Sequence, residues 1–152
     1  KLTAVEFGRV LGAFYYGLGD YRRQRDSLEI ATKKGRYRSD AKVLLSLSQA
    51  YGHFKQYNKA LNTLRRTEAK MGRLSGAEKA NVYRTYAEYA RLLYIAQRAK
   101  NPRRANASLL DTAIQKWKRL LTMSSAGSKD ATDAQRQIAK LEQMKQEHGM
   151  GM

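Results

Sequence analysis

The sequence of 152 residues contains no cysteine, one proline and no long apolar run. Without cysteine, a disulfide scaffold, a thiolate zinc site and a cysteine nucleophile are all excluded. The longest uninterrupted apolar stretch, Leu92–Ala96, is far shorter than the roughly 18 residues of a membrane-spanning helix. We therefore expect a soluble chain without a transmembrane segment. No charged-then-apolar leader follows Lys1, so we expect any targeting segment to lie upstream of this sequence. The compartment, cytoplasmic or periplasmic and envelope-associated, stays open.

Acidic residues are also scarce, because 13 Asp and Glu stand against 30 Lys and Arg, a formal net charge of +17. The hydrophobic fraction of 42% is nevertheless that of a globular domain, so the charge does not indicate disorder. A chain of this length buries a core of its own. The excess of cations predicts at least one anionic partner.

Apolar residues recur at three- and four-residue spacing, and no segment alternates as a strand would. This spacing predicts an all-α chain with helices over 4–17, 21–34, 41–54, 58–71, 77–99, 109–123 and 129–147. A hydroxyl residue with a carboxylate three positions later predicts capped helix starts at Thr3, Ser75 and Ser108. Glycines predict left-handed helix ends at Gly19, Gly35, Gly72 and Gly127.

The chain matches itself at an offset of 36 residues. Leu11, Gly12, Tyr15, Tyr21, Leu28 and Ala31 recur as Leu47, Ser48, Tyr51, Tyr57, Leu64 and Thr67. We interpret the unit as a helical hairpin in which a small residue lets two helices approach and a tyrosine marks the turn. A third, weaker unit contains Tyr83-x2-Tyr86-Ala87-x2-Ala90 and, after an insertion at 98–106, Ala113-x3-Trp117.

These units resemble the tetratricopeptide repeat family, whose 34-residue pattern is W-x2-L-G-x2-Y, A-x3-F and P. Leu11–Tyr15 and the turn Gly19-Asp20-Tyr21 carry the resemblance, whereas the closing proline is absent and Gln24 replaces a small residue. The resemblance implies an α-solenoid of helix-turn-helix pairs in a single domain. Its parts are repeat one at 4–38, repeat two at 39–74, an irregular repeat three at 75–124, a capping helix at 128–148 and a flexible tail at 149–152.

Motifs for catalysis or metal binding are missing from the sequence. His53 and His148 are isolated, and there is no His-x3-His pair, calcium loop, P-loop or dinucleotide-binding glycine pattern. Catalysis needs convergent titratable groups, so we predict a non-enzymatic protein with no catalytic, metal-binding or cofactor-binding residues and no cofactor.

The resemblance also implies a concave groove, because in this family the first helix of each pair lines a groove that receives an extended peptide or a partner helix. The groove positions are Arg9, Tyr16, Lys42, Gln49, His53, Arg84, Glu88 and Arg91. The family's carboxylate-clamp positions read Arg9, Ala13, Ser46, Asn81 and Thr85, which argues against a chaperone-tail receptor. The cations of the groove still favour an acidic or polar ligand.

Ten tyrosines allow two interpretations, as repeat core or as platforms that stack nucleic-acid bases. We assign six to the core: Tyr15, Tyr21, Tyr51, Tyr57, Tyr83 and Tyr86. Tyr16 belongs to the groove if the family register holds, and Tyr37, Tyr89 and Tyr94 stay open.

Basic residues cluster on second helices and connections. One cluster comprises Arg22, Arg23, Arg25, Lys33, Lys34, Arg36 and Arg38; a second Arg98, Lys100, Arg103 and Arg104; a third Arg65, Arg66, Lys70 and Arg73. A solubilising coat usually mixes signs. We therefore predict a protein-interaction scaffold or adaptor in a larger assembly, with partners that present acidic or polar surfaces. A nucleic-acid (RNA)-binding module is the alternative, although RNA-binding signatures are absent. An acidic envelope polymer or anionic lipid is a third.

Overall fold

The computed structural model describes residues 3–151, apart from the side chain of Val5. This part of the chain is helical and contains no strand. Its elements are α1 (Ala4–Gly17), α2 (Tyr21–Lys33), α3 (Ala41–His53), α4 (Tyr57–Ala69), α5 (Gly76–Lys100), a 3-10 turn (Pro102–Arg104), α6 (Ser108–Met123) and α7 (Lys129–Gly149). All seven predicted helices are confirmed, and no end is displaced by more than two residues.

The helices form two compact units, one ending at Ser75 and one beginning at Gly76. In the first unit α1 packs against α2, α2 against α3, and α3 against α4. In the second unit α5 packs against α6, and α6 against α7. Sequential packing of neighbouring helices is how repeat proteins bury the apolar faces that single hairpins leave open. The predicted all-α class with helices in neighbouring pairs is therefore confirmed.

The repeat is also present in the backbone of the two turns of the first unit. Gly19 and Lys55, 36 positions apart in the sequence, both have positive φ, at 72° and 58°. The Asp20 N–H donates to the Tyr15 carbonyl at 2.9 Å, and the Gln56 N–H donates to the Tyr51 carbonyl at the same distance. A left-handed residue with such a bond closes a helix end by satisfying carbonyls that have no partner in the helix.

Most of the predicted helix ends are confirmed, and two are wrong. Thr3 forms a reciprocal capping box with Glu6, while Gly19, Gly35 and Gly127 adopt the left-handed conformation. Gly72 does not have a positive φ. Ser108 is the first residue of α6 rather than its cap, because Asn106 Oδ1 accepts hydrogen bonds from the Ser108 backbone N–H at 3.0 Å and hydroxyl at 2.7 Å.

The core of the first unit forms around three buried leucines of α2, α3 and α4, Leu28, Leu44 and Leu64. The predicted close approach at the small repeat position is confirmed: a Cβ at Gly12 would lie 2.7 Å from Leu28 Cδ2, and Ser48 is fully buried. A second close approach was not predicted. A Cβ at Gly8 would lie 2.8 Å from the backbone oxygen of Ser27.

The predicted core tyrosines divide into two groups. Tyr51, Tyr83 and Tyr86 are buried, as predicted, whereas Tyr15, Tyr21 and Tyr57 are only half-buried. Two tyrosines left open by the sequence, Tyr37 and Tyr94, are buried as well.

In the second unit, Tyr94 is the largest side chain that is fully buried. Its hydroxyl forms a hydrogen bond of 2.9 Å with Nδ1 of His148 in α7. Helix α7 also buries Leu141, and Lys145 Nζ lies 2.7 Å from Asp111 Oδ1 of α6. Trp117 completes this core from α6. The terminal helix is thus anchored both to α5 and to α6.

Candidate functional site

The first unit contains a groove with a cavity volume of about 370 Å³. It is lined by Arg9, Gly12, Ala13 and Tyr16 of α1, Gln24 and Leu28 of α2, and Lys42, Val43, Ser46 and Gln49 of α3. Three consecutive helices therefore form it, and both first helices of the two hairpins contribute to its lining. A concave site of a few hundred Å³ has the size of a pocket for several side chains of a ligand.

Glycine brings two helices of this groove close together. Because Gly12 has no side chain, α1 approaches α2 closely enough for a Cβ at this position to overlap Leu28. Both residues are buried and lie at the floor of the groove lining.

Gln24 is a polar group within the groove lining. The residue is only 5% exposed, and none of the hydrogen bonds among the described residues involves its side-chain amide. No fully buried side-chain nitrogen or oxygen in residues 3–151 lacks a partner, so the Gln24 amide keeps access to solvent. When a ligand group replaces water on such an amide, the net gain is about 1 kcal/mol. Gln24 can therefore bond a ligand that enters the groove.

The predicted groove residues of the first unit mostly lie together. Arg9, Tyr16, Lys42 and Gln49 all line the cavity. The guanidinium of Arg9 lies 5.5 Å from the ring centroid of Tyr37, which orients it by a cation–π contact. His53 instead stacks on Tyr21, with ring centroids 3.9 Å apart, and does not line the cavity.

The remaining predicted groove residues belong to the second unit and pair locally. Arg84 Nη2 lies 3.3 Å from Asp130 Oδ1 of α7. Arg91 Nε donates to Glu88 Oε2 at 3.1 Å, one helical turn away. These carboxylates offset the positive charge of both arginines, so the cationic character of the predicted groove is concentrated in the first unit.

Three of the seven basic residues of the first cluster have structural partners. Arg23 lies 3.6 Å from Asp20 and over the ring of Tyr15. Arg25 lies over the ring of Phe54 at 4.8 Å and donates to Gln56 at 3.2 Å, so it connects α2 to the end of α3. Arg36 pairs with Glu6. The other four are exposed and make no ion pair within residues 3–151: Arg22, Lys33, Lys34 and Arg38.

The second basic cluster lies around the 3-10 turn. Its four residues, Arg98, Lys100, Arg103 and Arg104, form no ion pair with any described residue. Polar side chains fix the backbone here, because Asn106 N–H donates to Gln97 Oε1 at 2.9 Å and Arg103 N–H donates to Asn101 Oδ1 at 3.2 Å. In the third cluster the Arg66 guanidinium donates hydrogen bonds to the carbonyl oxygens of Thr32 and Arg38, so it connects α4 to the end of α2 and the segment that follows it.

Burial and a neighbouring carboxylate change the acidity of one tyrosine in the first unit. Burial, together with the neighbouring Glu29 carboxylate, raises the pKa of Tyr51 to about 12. No three His, Asp or Glu side chains of the described part of the chain converge as a metal site requires. Between residues 3 and 151, no helix combines the length and hydropathy needed to cross a bilayer.

Sequence reasoning missed two features of the groove, the lining role of Gly12 and the amide of Gln24. A signal for the second was present, because Gln24 departs from the small residue of the family pattern. A polar residue at a position that packs against a neighbouring helix indicates that this part of the helix faces an opening.

No protein-family model matches this chain, and no curated protein sequence matches it. The resemblance to tetratricopeptide repeats therefore depends on the residues of the two matching units. The repeated turn geometry of Gly19 and Lys55 supports the internal repeat of helical hairpins.

Proposed function

We propose that this chain is a non-enzymatic protein-interaction module of tetratricopeptide-like helix pairs, an adaptor within a larger assembly. Its first unit binds a partner peptide or helix with acidic or polar groups. The observation that carries the proposal is the groove of α1, α2 and α3, where two cations, Arg9 and Lys42, line a cavity together with Gln24, whose amide forms no hydrogen bond with another described residue.

Each group in the groove has a function that suits a peptide. The Gln24 amide both donates and accepts, so it can bond a ligand's main-chain N–H and carbonyl. Arg9 and Lys42 provide charge-assisted donors for carboxylates. Tyr16 is exposed beside them and offers apolar contact area with little loss of conformational entropy. This combination selects an acidic or polar segment over a basic one.

Site-specific photo-cross-linking tests the proposal. We expect a benzophenone amino acid in place of Tyr16 to cross-link a partner segment rich in Asp and Glu from cells that contain the natural partners. The double variant Arg9→Glu with Lys42→Glu should remove that product, since it reverses both cations of the groove. A benzophenone at Ile30, which is exposed on α2, should not give the same product.

A matched variant separates the groove from the net charge. Arg22→Glu with Lys33→Glu changes the net charge by the same amount at exposed positions outside the groove. The proposal is supported if the cross-linked product persists in this control and disappears in the groove variant. Equal loss in both variants contradicts it, because binding would then depend on total charge.

A second candidate function, binding of RNA or another nucleic acid, is supported by the cations around the 3-10 turn, which form no ion pair with the described residues. If these residues contact phosphates, the logarithm of the affinity falls linearly with the logarithm of salt concentration. Arg103→Glu with Arg104→Glu should then reduce that slope by roughly two contacts. A gel shift in low salt with single-stranded RNA measures this, and the absence of a shift in the parent chain rejects the candidate.

A further inference from the structure

One side of α1 presents an apolar stripe to solvent. It comprises Phe7, Val10, Phe14 and Leu18, at spacings of three or four residues, and Phe7 and Phe14 are 52% and 57% exposed. The two charged residues of α1, Glu6 and Arg9, lie outside the stripe when residues are placed at 100° intervals. A continuous apolar row of this kind marks an interaction site more often than scattered apolar residues do.

The repeat identifies what normally covers such a face. In the second hairpin the counterparts of Phe7 and Phe14 are Val43 and Ala50, which are only 8% and 2% exposed. These residues belong to α3, which packs against α2 on one side and α4 on another. Arg25 of α2 lies over Phe54, the counterpart of Leu18. Within the described residues, no helix therefore occupies the place next to α1 that α2 occupies next to α3.

The dimensions of the stripe suit one helix. From Phe7 to Leu18 it extends about 16 Å, at about 1.5 Å per residue, which corresponds to roughly three helical turns. The helix that occupies the equivalent position on α3 is α2, with 13 residues. Rows of side chains at four-residue spacing pack between the rows of another helix.

Charge at the two ends of the stripe selects the partner. Tyr15 contacts Phe14 edge to face with centroids 5.5 Å apart, and the exposed Arg23 lies over the Tyr15 ring. Near the other end, the exposed Arg36 pairs with Glu6, as Arg23 pairs with Asp20. Both arginine side chains are more than two-thirds exposed, and surface ion pairs of this kind contribute at most about 1 kcal/mol, so each guanidinium can exchange its carboxylate for one of a partner. We infer that an amphipathic helix of another protein, apolar on one face and acidic along its flanks, docks on the stripe in the position that α2 has on α3. A second copy of this chain fits poorly, because a net charge of +17 repels itself.

This surface is separate from the groove. On α1 the groove residues Arg9 and Tyr16 lie roughly 140–180° around the helix axis from Phe7 and Phe14. The two sites can therefore fail independently: Tyr16→Ala affects the groove and leaves the stripe unchanged.

A selection experiment tests the inference on the whole chain. A phage-displayed library of helix-forming peptides is selected against it, and the enriched peptides are measured by fluorescence anisotropy. We expect apolar residues at three- and four-residue spacing with Asp and Glu on both flanks. Phe14→Glu should weaken their binding at least about tenfold, as expected for an aromatic anchor. Ile30→Glu, which places the same charge at a position that is 54% exposed on α2, should change it less than about twofold.

Further variants separate loss of the site from loss of the fold. Phe14→Leu should preserve binding, and circular dichroism checks that Phe14→Glu remains helical. Arg23→Glu should shift preference toward peptides whose flanking acids are replaced by lysine. The inference is overturned if the enriched peptides bind Phe14→Glu as well as the parent, or if they carry basic flanks. A dimer in sedimentation equilibrium that Phe14→Glu dissociates would also overturn it, since a second copy would then cover the stripe.

Discussion

The two hairpins of the first unit, α1–α2 and α3–α4, have the same register and different surroundings. Both turns contain a left-handed residue followed by a backbone hydrogen bond to the same repeat tyrosine, and both hairpins bury a leucine at the same position of the second helix, Leu28 and Leu64. They differ where each first helix meets its neighbour, since Phe14 is exposed and its counterpart Ala50 is buried. The repeated residues thus specify the inside of a hairpin, whereas the residues that change between repeats reflect what covers it.

Substitutions at the counterparts Phe14 and Ala50 should give the largest difference in the free energy of unfolding. Ala50→Phe forces an aromatic ring into a buried position of α3 and should lower the free energy of unfolding by about 3 kcal/mol, at the upper end of typical overpacking costs. Phe14→Ala removes an exposed ring and should change it by less than about 0.5 kcal/mol. Urea denaturation followed by circular dichroism measures both. Similar values for the two variants would mean that Phe14 is also covered.

The close approach at Gly8 gives the next largest effect. Gly8→Ala places a Cβ 2.8 Å from a backbone oxygen, and because a backbone cannot move as a side chain can, we expect a loss of about 2 kcal/mol. Gly17→Ala is the matched control in the same helix, because a Cβ there meets nothing within 4 Å. It should stabilise the chain by up to about 1 kcal/mol through helix propensity. Equal effects would show that packing on α2 is not the reason for glycine at position 8.

Sequence reasoning predicted the helices well because the signals are local. Periodic apolar residues, Thr3 with Glu6, and the glycines at turns act within a few residues of themselves. The 36-residue repeat also allowed the pairing of neighbouring helices to be predicted. Where it left a residue open, the contact was distant: Tyr94 is buried and its hydroxyl bonds His148, 54 positions away in sequence. The family resemblance assigned Arg9 and Tyr16 to one groove, and both line the cavity of the first unit, whereas the pairing of Arg84 with Asp130 depends on a helix outside the repeat.

The turns provide a smaller test of the same comparison. Lys55 adopts the left-handed conformation that glycine has at position 19, which costs a residue with a side chain about 1–2 kcal/mol. Lys55→Gly removes that cost but adds freedom to the unfolded chain, so we expect a net gain of about 0.5–1 kcal/mol. Gly19→Lys should lose about 1 kcal/mol, because a Cβ there meets nothing and only the backbone conformation opposes it. If both changes are neutral, the left-handed conformation costs lysine nothing at either turn, and the prediction is wrong.

The smallest expected effect concerns how each first helix begins. The Thr3 backbone N–H, and then Arg36, hold the pKa of Glu6 below its ordinary value of 4.5. A lowered pKa in the folded state means that the Glu6 carboxylate stabilises the start of α1 at pH values above its ordinary pKa of 4.5. That contribution is lost as the pH falls through the pKa of the folded state.

The repeat counterpart of Glu6 is Lys42, so α3 lacks this carboxylate. We therefore expect the Thr3 amide signal in an NMR titration to move with a midpoint below 4.5, and Glu6→Gln to abolish the movement. A midpoint at or above the ordinary value would show that the capping box does not hold the carboxylate in solution.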